Sequence, residues 1–264
     1  MYKGDTLYKC SEERIKVLFD VFSACADRKA VSKVFSEKMK TLGAQIVTDD
    51  LGNTYASLKG SDADSKKTVI SCPDSEDITS LASALEVCET LVNSENELKH
   101  TLTVLLWNDE PASDRPQLVP AMGILCGDYL PEEIHRDYTG IQPEKASGNG
   151  KIHRLNTSGY GPLFEVHANH AGIDCIGIAD IVPAVKSRMR GELRYNEKLM
   201  KLTEDAIADC GMKYETLHYA PKRDTWIAAH MMPSAVISAG SDDTQKCADA
   251  ATVLLNAVLL ADKM

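Results

Sequence analysis

LTVLLW, residues 102–107, is the tightest constraint on how this chain can fold. The run carries no charge and a single hydroxyl, so neither side of it suits water. A strand of that kind is buried on both faces, the mark of a largely parallel sheet. The rest of the chain supplies partners for it. TVIS (68–71) is a second short β-branched run, AQIVTDD (44–50) alternates, and LGN (51–53) is a turn leading into another strand, TYASLKG.

Between the strands lie helical periods. From Ser11 to Thr41, Ile15, Leu18, Phe19 and Phe22, then Val31, Val34, Phe35 and Met39, recur at three- and four-residue steps, with Gly43 as a natural stop. Ser80 to Val92 puts Leu81, Ala84, Leu85, Cys88 and Leu91 on one face. Leu193 to Cys210 is amphipathic and is stopped by Gly211. YETLHY (214–219) and MPSAVISAG (232–240) read as strands, and Asp242 to Ala261 as a closing helix. Asp224 can cap a short helix through Ala229. Residues 109–162, rich in proline, are the least regular third, with one short helix expected over Pro131–Tyr138. Helices alternating with short apolar strands predict a three-layer α/β/α sandwich around a mixed, mostly parallel sheet. No repeat or linker divides the chain, so residues 1–264 are expected to form one domain.

Charge narrows the partners. The net charge of −10 and the lack of any Lys/Arg run argue against nucleic acid. No signal peptide is visible at the start, and no apolar run is long enough to span a bilayer, so neither secretion nor a membrane is expected. The eight cysteines are scattered without a CxxC pair, and they read as reduced, largely buried thiols of a cytoplasmic protein.

LFEVHANHAGIDCIGIADIV (163–182) carries the chemistry. It opens as a strand, delivers His167 and His170, turns at Gly172 and re-enters an apolar run. Histidines at the end of a strand are what a metal site in an α/β hydrolase needs. FEVHANHAG resembles the Glu-Leu-His-Ile-Glu-Gln-Gly motif of N-carbamoyl-amino-acid hydrolases. MKTLGAQIVTDDLGNTYASLKG (39–60) resembles the Leu-Gly, strand, Asp-x-x-Gly-Asn, strand pattern of the same family. RDTWIAAHMMPSAVIS (223–238) is similar to its His-Asp-Ala segment with the following Pro-Ser/Thr-Ala and strand. In this order, the motifs resemble the zinc-dependent M20 peptidases and amidohydrolases, which include allantoate amidohydrolases and aminoacylases. The resemblance implies the catalytic-domain sandwich of that family. The family's inserted lid, which carries dimer contacts and part of the substrate site, has no counterpart, because only PAVKSRMRGE (183–192) stands in its place.

The resemblance also implies a set of metal ligands. The family's His-x-Asp corresponds to Cys72-Pro73-Asp74, with cysteine, itself a zinc ligand, in place of histidine. Asp77 or Glu76 stands where the bridging aspartate is expected. The Glu-Glu pair corresponds to WNDEPA (107–112). Asp109-Glu110 stands in for the pair, which in the family is general base then ligand, if one residue is deleted, whereas a gapless match makes Glu110 the base and puts Pro111 in the ligand position. His167 matches a ligand directly, and His170 is a candidate new one. SAGSDDTQ (238–245) lacks the family's last histidine, and the His of His-Asp-Ala is Arg223.

A dinuclear centre needs about five protein ligands. This set supports one zinc at most, on Cys72, Asp74, Asp77, Asp109 and His167, or none. The plain structural alternative makes His167 and His170 solvated strand-end residues, Cys72 a small core residue, Asp109 and Glu110 an exposed acidic strand end, and Asp224 a cap. His100, His135 and His153 are assigned no role, and Trp107 and Trp226 read as core or cleft-lining residues. On the residues alone, a non-catalytic or impaired relative that binds a small molecule or peptide, or pairs with itself by a route other than the lid, is favoured over the alternative. That alternative is a lidless zinc amidohydrolase acting on an N-carbamoyl or N-acyl amino acid or a small peptide.

Overall fold

The structure is a computed structural model. It describes residues 7–49, 52–62, 67–73, 78–94, 96–107, 160–167, 176–179, 197–217, 234–238 and 243–263. The strands are β1 (Gln45–Thr48), β2 (Thr54–Leu58), β3 (Lys67–Pro73), β4 (Leu102–Trp107), β5 (Tyr160–His167), β6 (Ile176–Ala179), β7 (Tyr214–Leu217) and β8 (Ser234–Ser238). The helices are α1 (Glu12–Ser23), α2 (Arg28–Thr41), α3 (Ile78–Asn93), α4 (Glu197–Asp209) and α5 (Thr244–Ala261).

The strands form one sheet in the order β1-β2-β4-β3-β5-β8-β6-β7. At its centre β4, β3, β5 and β8 run parallel. On one side β2 is antiparallel to β4 and to β1, and on the other β6 is antiparallel to β8 and parallel to β7. The sheet is therefore mixed around a parallel core, as the apolar runs led us to expect. Every residue of β4 is buried, which is the double-faced burial that LTVLLW requires. β5 carries a bulge opposite Lys67–Val69, where Gly161 and Pro162 fall. Proline has no N–H to give to a ladder, so the register slips there and recovers at Leu163.

The five described helices pack side by side on the sheet, with α3 between α1 and α2 and with α5 touching α1, α3 and α4. Phe22, Phe35, Met39, Leu81 and Leu85 fill the space between that layer and the strands, all at most 2 % exposed. Local signals set the helix ends. The helical period over Ser11–Thr41 divides in two because Asp27 caps α2, its carboxylate accepting from the Ala30 N–H at 2.8 Å. Gly43 at φ 85° and Gly211 at φ 67° close α2 and α4. At each, the glycine N–H and the following N–H return to the last turn, Gly43 to the Lys40 carbonyl and Ala44 to the Met39 carbonyl, Gly211 to Ala208 and Met212 to Ile207.

Polar pairs tie distant segments together. Glu86, fully buried on α3, accepts from Arg14 Nε at 2.7 Å, Arg14 Nη2 at 2.6 Å and the Ser11 N–H at 2.6 Å. The turn at DDLGN is knotted by Asp49. Its carboxylate accepts from the Asn53 N–H at 2.9 Å, Asn53 Nδ2 at 2.8 Å and the Tyr55 hydroxyl at 2.9 Å, while Gly52 takes φ 88°. Burial, with Asp49 alongside, pushes the Tyr55 hydroxyl well above the usual phenol range. Asx-type anchoring of this kind explains why Asp-x-x-Gly-Asn stands between two strands.

Between β6 and α4 the chain has only residues 180–196, too few for a separately folded domain. No described helix is long and apolar enough to cross a membrane. Burial pushes the thiols of Cys88 and Cys210 up to about 12 and about 11, and that of Cys10 higher still, in keeping with inert interior cysteines.

Candidate functional site at the carboxyl edge of the parallel strands

In an open α/β sheet, ligands gather outside the carboxyl ends of the strands. Here the register brings those ends to one level. Pro73 of β3 pairs with Trp107 of β4, and Ser71 pairs with Glu165, two residues before His167. His167 in turn pairs with Ser238 of β8. Each of the four central strands thus finishes at the same edge of the sheet.

Of the residues singled out in the sequence, two lie in the described part. His167 is the last residue of β5, at that edge. Cys72 is fully buried one residue before the end of β3, and its thiol donates to the Ser80 carbonyl in the first turn of α3 at 3.5 Å. It therefore faces the helix layer. Asp74, Glu76, Asp77, Asp109, Glu110, Pro111, His170, Arg223 and Asp224 lie outside the described residues, as do the short helices expected over Pro131–Tyr138 and after Asp224. In sequence, however, Asp74 and Asp77 follow the end of β3 within four residues, and Asp109 and Glu110 follow the end of β4 within three. Among the described residues no three His, Cys, Asp or Glu side chains group to hold a metal ion.

The donor types can still be tested against zinc. Histidine and carboxylates are ordinary zinc ligands, and a histidine at the end of a parallel strand is well placed to be one. Cysteine is likewise an ordinary zinc ligand, and Cys72 lies one residue before the end of β3 with its thiol on the Ser80 carbonyl.

Other residues gained importance only in three dimensions. Ser71 Oγ, Ser83 Oγ, His100 Nδ1 and Trp107 Nε1 are buried polar atoms with no hydrogen-bond partner. His100, assigned no role from the sequence, is only 8 % exposed, and its backbone N–H donates to the Asp262 carboxylate at 2.7 Å. Its charged neighbours in sequence, Lys99 and Glu97, gave no hint of that burial. Ser71 and Trp107 sit on the strands that end at the site. Their sequence signal was a polar and an amphipathic residue within runs expected to be buried on both faces.

No protein-family model matches the chain, and no curated protein matches it by sequence. Solved structures do match. An amidase of the hydantoinase/carbamoylase family from Burkholderia vietnamiensis is 15% identical, with a TM-score of 0.69 over 97% of this chain and 99% of that one. AtUAH in complex with (S)-hydroxyglycine is 10% identical, with a TM-score of 0.70 over 97% and 99%. LapB from Legionella pneumophila is 11% identical, with a TM-score of 0.63 over 95% of this chain and 72% of that one. The chain therefore has, over nearly its whole length, the fold found in amidases of the hydantoinase/carbamoylase family, as the order of its sequence motifs led us to expect.

Proposed function

We propose that this protein is a lidless, metal-dependent hydrolase of C–N bonds, acting on the amide or carbamoyl group of a small N-substituted amino acid. The observation that carries the reading is the register of the carboxyl edge. His167 ends its strand level with the ends of β3 and β4, and those two strands lead within a few residues into Asp74, Asp77, Asp109 and Glu110. The fold shared with amidases supports it. So does the ligand in the AtUAH complex, (S)-hydroxyglycine, a small carboxylate. These findings shift the balance from the non-catalytic reading that the residues alone favoured towards the hydrolase.

In this reading His167, Asp74, Asp77 and Asp109 would hold one zinc ion, while Cys72 supports the end of β3 from the helix side. Bound zinc supplies Lewis-acid polarisation of the scissile carbonyl. Glu110 takes a proton from the attacking water and returns it to the departing nitrogen, so the C–N bond breaks as the C–O bond forms.

The test is a hydrolysis screen of N-carbamoyl and N-acyl amino acids with zinc-supplemented protein, beside metal analysis of the same sample. Release of the free amino acid together with bound zinc supports the hydrolase. A metal-free protein that turns over none of the panel at saturating zinc returns the chain to the non-catalytic binding module. The inward-facing Cys72 and the Arg223 that stands in the family's histidine position are what favour that second reading.

A further inference from the structure

Among the described residues β1 is the end strand of the sheet, paired with β2, and its four residues, Gln45-Ile46-Val47-Thr48, include no charge and no proline. A strand edge in that state is a template for another strand, and lysine, proline or a bulge ordinarily guards it. The register says which groups it offers. Gln45 and Val47 stand opposite Ser57 and Tyr55, and Asp49 continues the series, its N–H donating to the Asn53 carbonyl at 3.1 Å. Main-chain groups alternate in direction along an antiparallel strand, so Gln45 and Val47 also turn theirs towards β2. The N–H and C=O groups of Ile46 and Thr48 therefore point outward, and Gln45 and Thr48 are exposed at the two ends of the strand.

Helix α2 lies over this edge and is basic. It carries Arg28, Lys29, Lys33, Lys38 and Lys40 against Glu37 alone, in a chain of net charge −10. Phe35 and Met39, both fully buried, define its inward face. At about 100° per residue, Val31 and Val34 fall about 60–120° to one side of that face. Both pack on the core. Lys29, Lys33 and Lys40 fall about 100–140° to the other side, and all three are exposed. The main helical neighbour of α2 is α3, with β1 and β2 beneath. The valine flank is thus the one towards α3, and the lysine stripe lies on the side of the open edge. Lys33 meets Glu37 only at 4.0 Å, with both side chains largely exposed, so the stripe stays net positive.

We propose that the β1 edge and the lysine stripe of α2 together bind an extended acidic segment of a partner protein, which adds to the sheet as a further strand. Its main chain pairs with Ile46 and Thr48, and its alternate side chains, those on the helix face, are acidic and meet Lys29, Lys33 and Lys40. Charge decides between occupants. A second copy pairing β1 with β1 about a two-fold axis would bring two lysine stripes side by side. A bilayer or a nucleic acid, each an extended polyanion, would also face the acidic remainder of the chain. A short acidic segment meets the stripe without either repulsion. The inference is independent of the hydrolase reading.

The experiment is fluorescence anisotropy of the intact chain with a labelled, end-capped peptide, Glu-Val-Glu-Val-Glu-Val, and with its counterpart carrying Gln for Glu. The acidic peptide is expected to bind about tenfold more tightly at low salt, from three exposed ion pairs at roughly twofold each. That advantage is expected to vanish at about 1 M NaCl. The triple variant Lys29→Gln/Lys33→Gln/Lys40→Gln should lose the same factor for the acidic peptide and none for the other. Thr48→Pro deletes an outward N–H while leaving the β1–β2 ladder its bonds, and should weaken both peptides about tenfold. Thermal midpoints show that each variant is folded, and the triple variant, at exposed positions, keeps the test decisive if Thr48→Pro disturbs β1. Equal binding of the two peptides, no binding of either, or folded variants that bind the acidic peptide as the wild type does would overturn the proposal. So would a wild-type dimer that Thr48→Pro dissociates, which gives the edge to a second copy, or binding of phosphatidylserine vesicles in place of the peptide.

Discussion

Cys72 gives its thiol hydrogen to the Ser80 carbonyl, 3.5 Å away in the first turn of α3, from a position with no solvent exposure. The end of β3 and the start of α3 are thereby joined. Cys72→Ala removes the sulfur and leaves a small cavity. It is expected to cost about 1–2 kcal/mol in urea unfolding while leaving the zinc content of the folded protein unchanged. Loss of the metal at unchanged stability would make Cys72 a ligand after all.

Glu86 and Arg14 form the most costly polar contact in the helix layer. Removing one partner of a buried pair strands the other. Arg14→Ala leaves the fully buried Glu86 carboxylate with only the Ser11 N–H and the Thr90 hydroxyl, and a loss of about 3 kcal/mol is expected. Glu86→Ala abandons the Ser11 N–H but leaves an arginine side chain that is 44% exposed and that water can solvate, so it should cost less. Chemical denaturation of the two variants, compared with the double variant, measures the coupling directly.

The Asp49 knot offers a local test. Asp49→Ala leaves the Tyr55 hydroxyl and the Asn53 amide without their carboxylate. A stability loss of about 3 kcal/mol is expected. Gly52→Ala forces a side chain into φ 88° and should cost about 1 kcal/mol. Both are read as shifts in the thermal midpoint.

The buried cysteines make stability fall in alkali. For Cys88, burial raises the folded-state value from 9.0 to about 12. Below pH 9 both folded and unfolded chains keep the proton and the full stability is present. Between pH 9 and 12 the unfolded chain loses its proton first, so stability drops as the pH rises. Cys210, raised to about 11, adds to the fall over the lower part of the same range. Denaturant midpoints at pH 8 and pH 10.5 for the wild type and Cys88→Ala show the effect as a smaller drop in the variant.

Much of the fold was legible in the sequence, because its signals are local. LTVLLW announces a doubly buried strand, Gly43 and Gly211 end helices by taking positive φ, and Asp-x-x-Gly-Asn is a turn whose side chains close on themselves. The mixed sheet around a parallel core follows from such pieces. Pairs distant in sequence were not legible. Arg14 and Glu86 lie 72 residues apart, and the periodicity of either helix marks both as surface positions. The first helical stretch was legible as two helices, but the place of the break shows only in the capping geometry at Asp27. At the site, the sequence indicated His167 and the acids after β3 and β4. Ser71 and Trp107 look like unremarkable members of apolar strands, and only the structure shows their polar atoms buried without a partner.

The central claim, hydrolysis at the carboxyl edge with Glu110 moving the proton, is tested most directly by one comparison. It is the turnover of N-carbamoyl amino acids by wild-type and Glu110→Gln proteins of equal zinc content. The account predicts measurable release of free amino acid by the wild type and a kcat about 10²–10⁴-fold lower in the variant, with zinc and the thermal midpoint unchanged. Equal turnover in the two, or none in a zinc-loaded wild type, would contradict it.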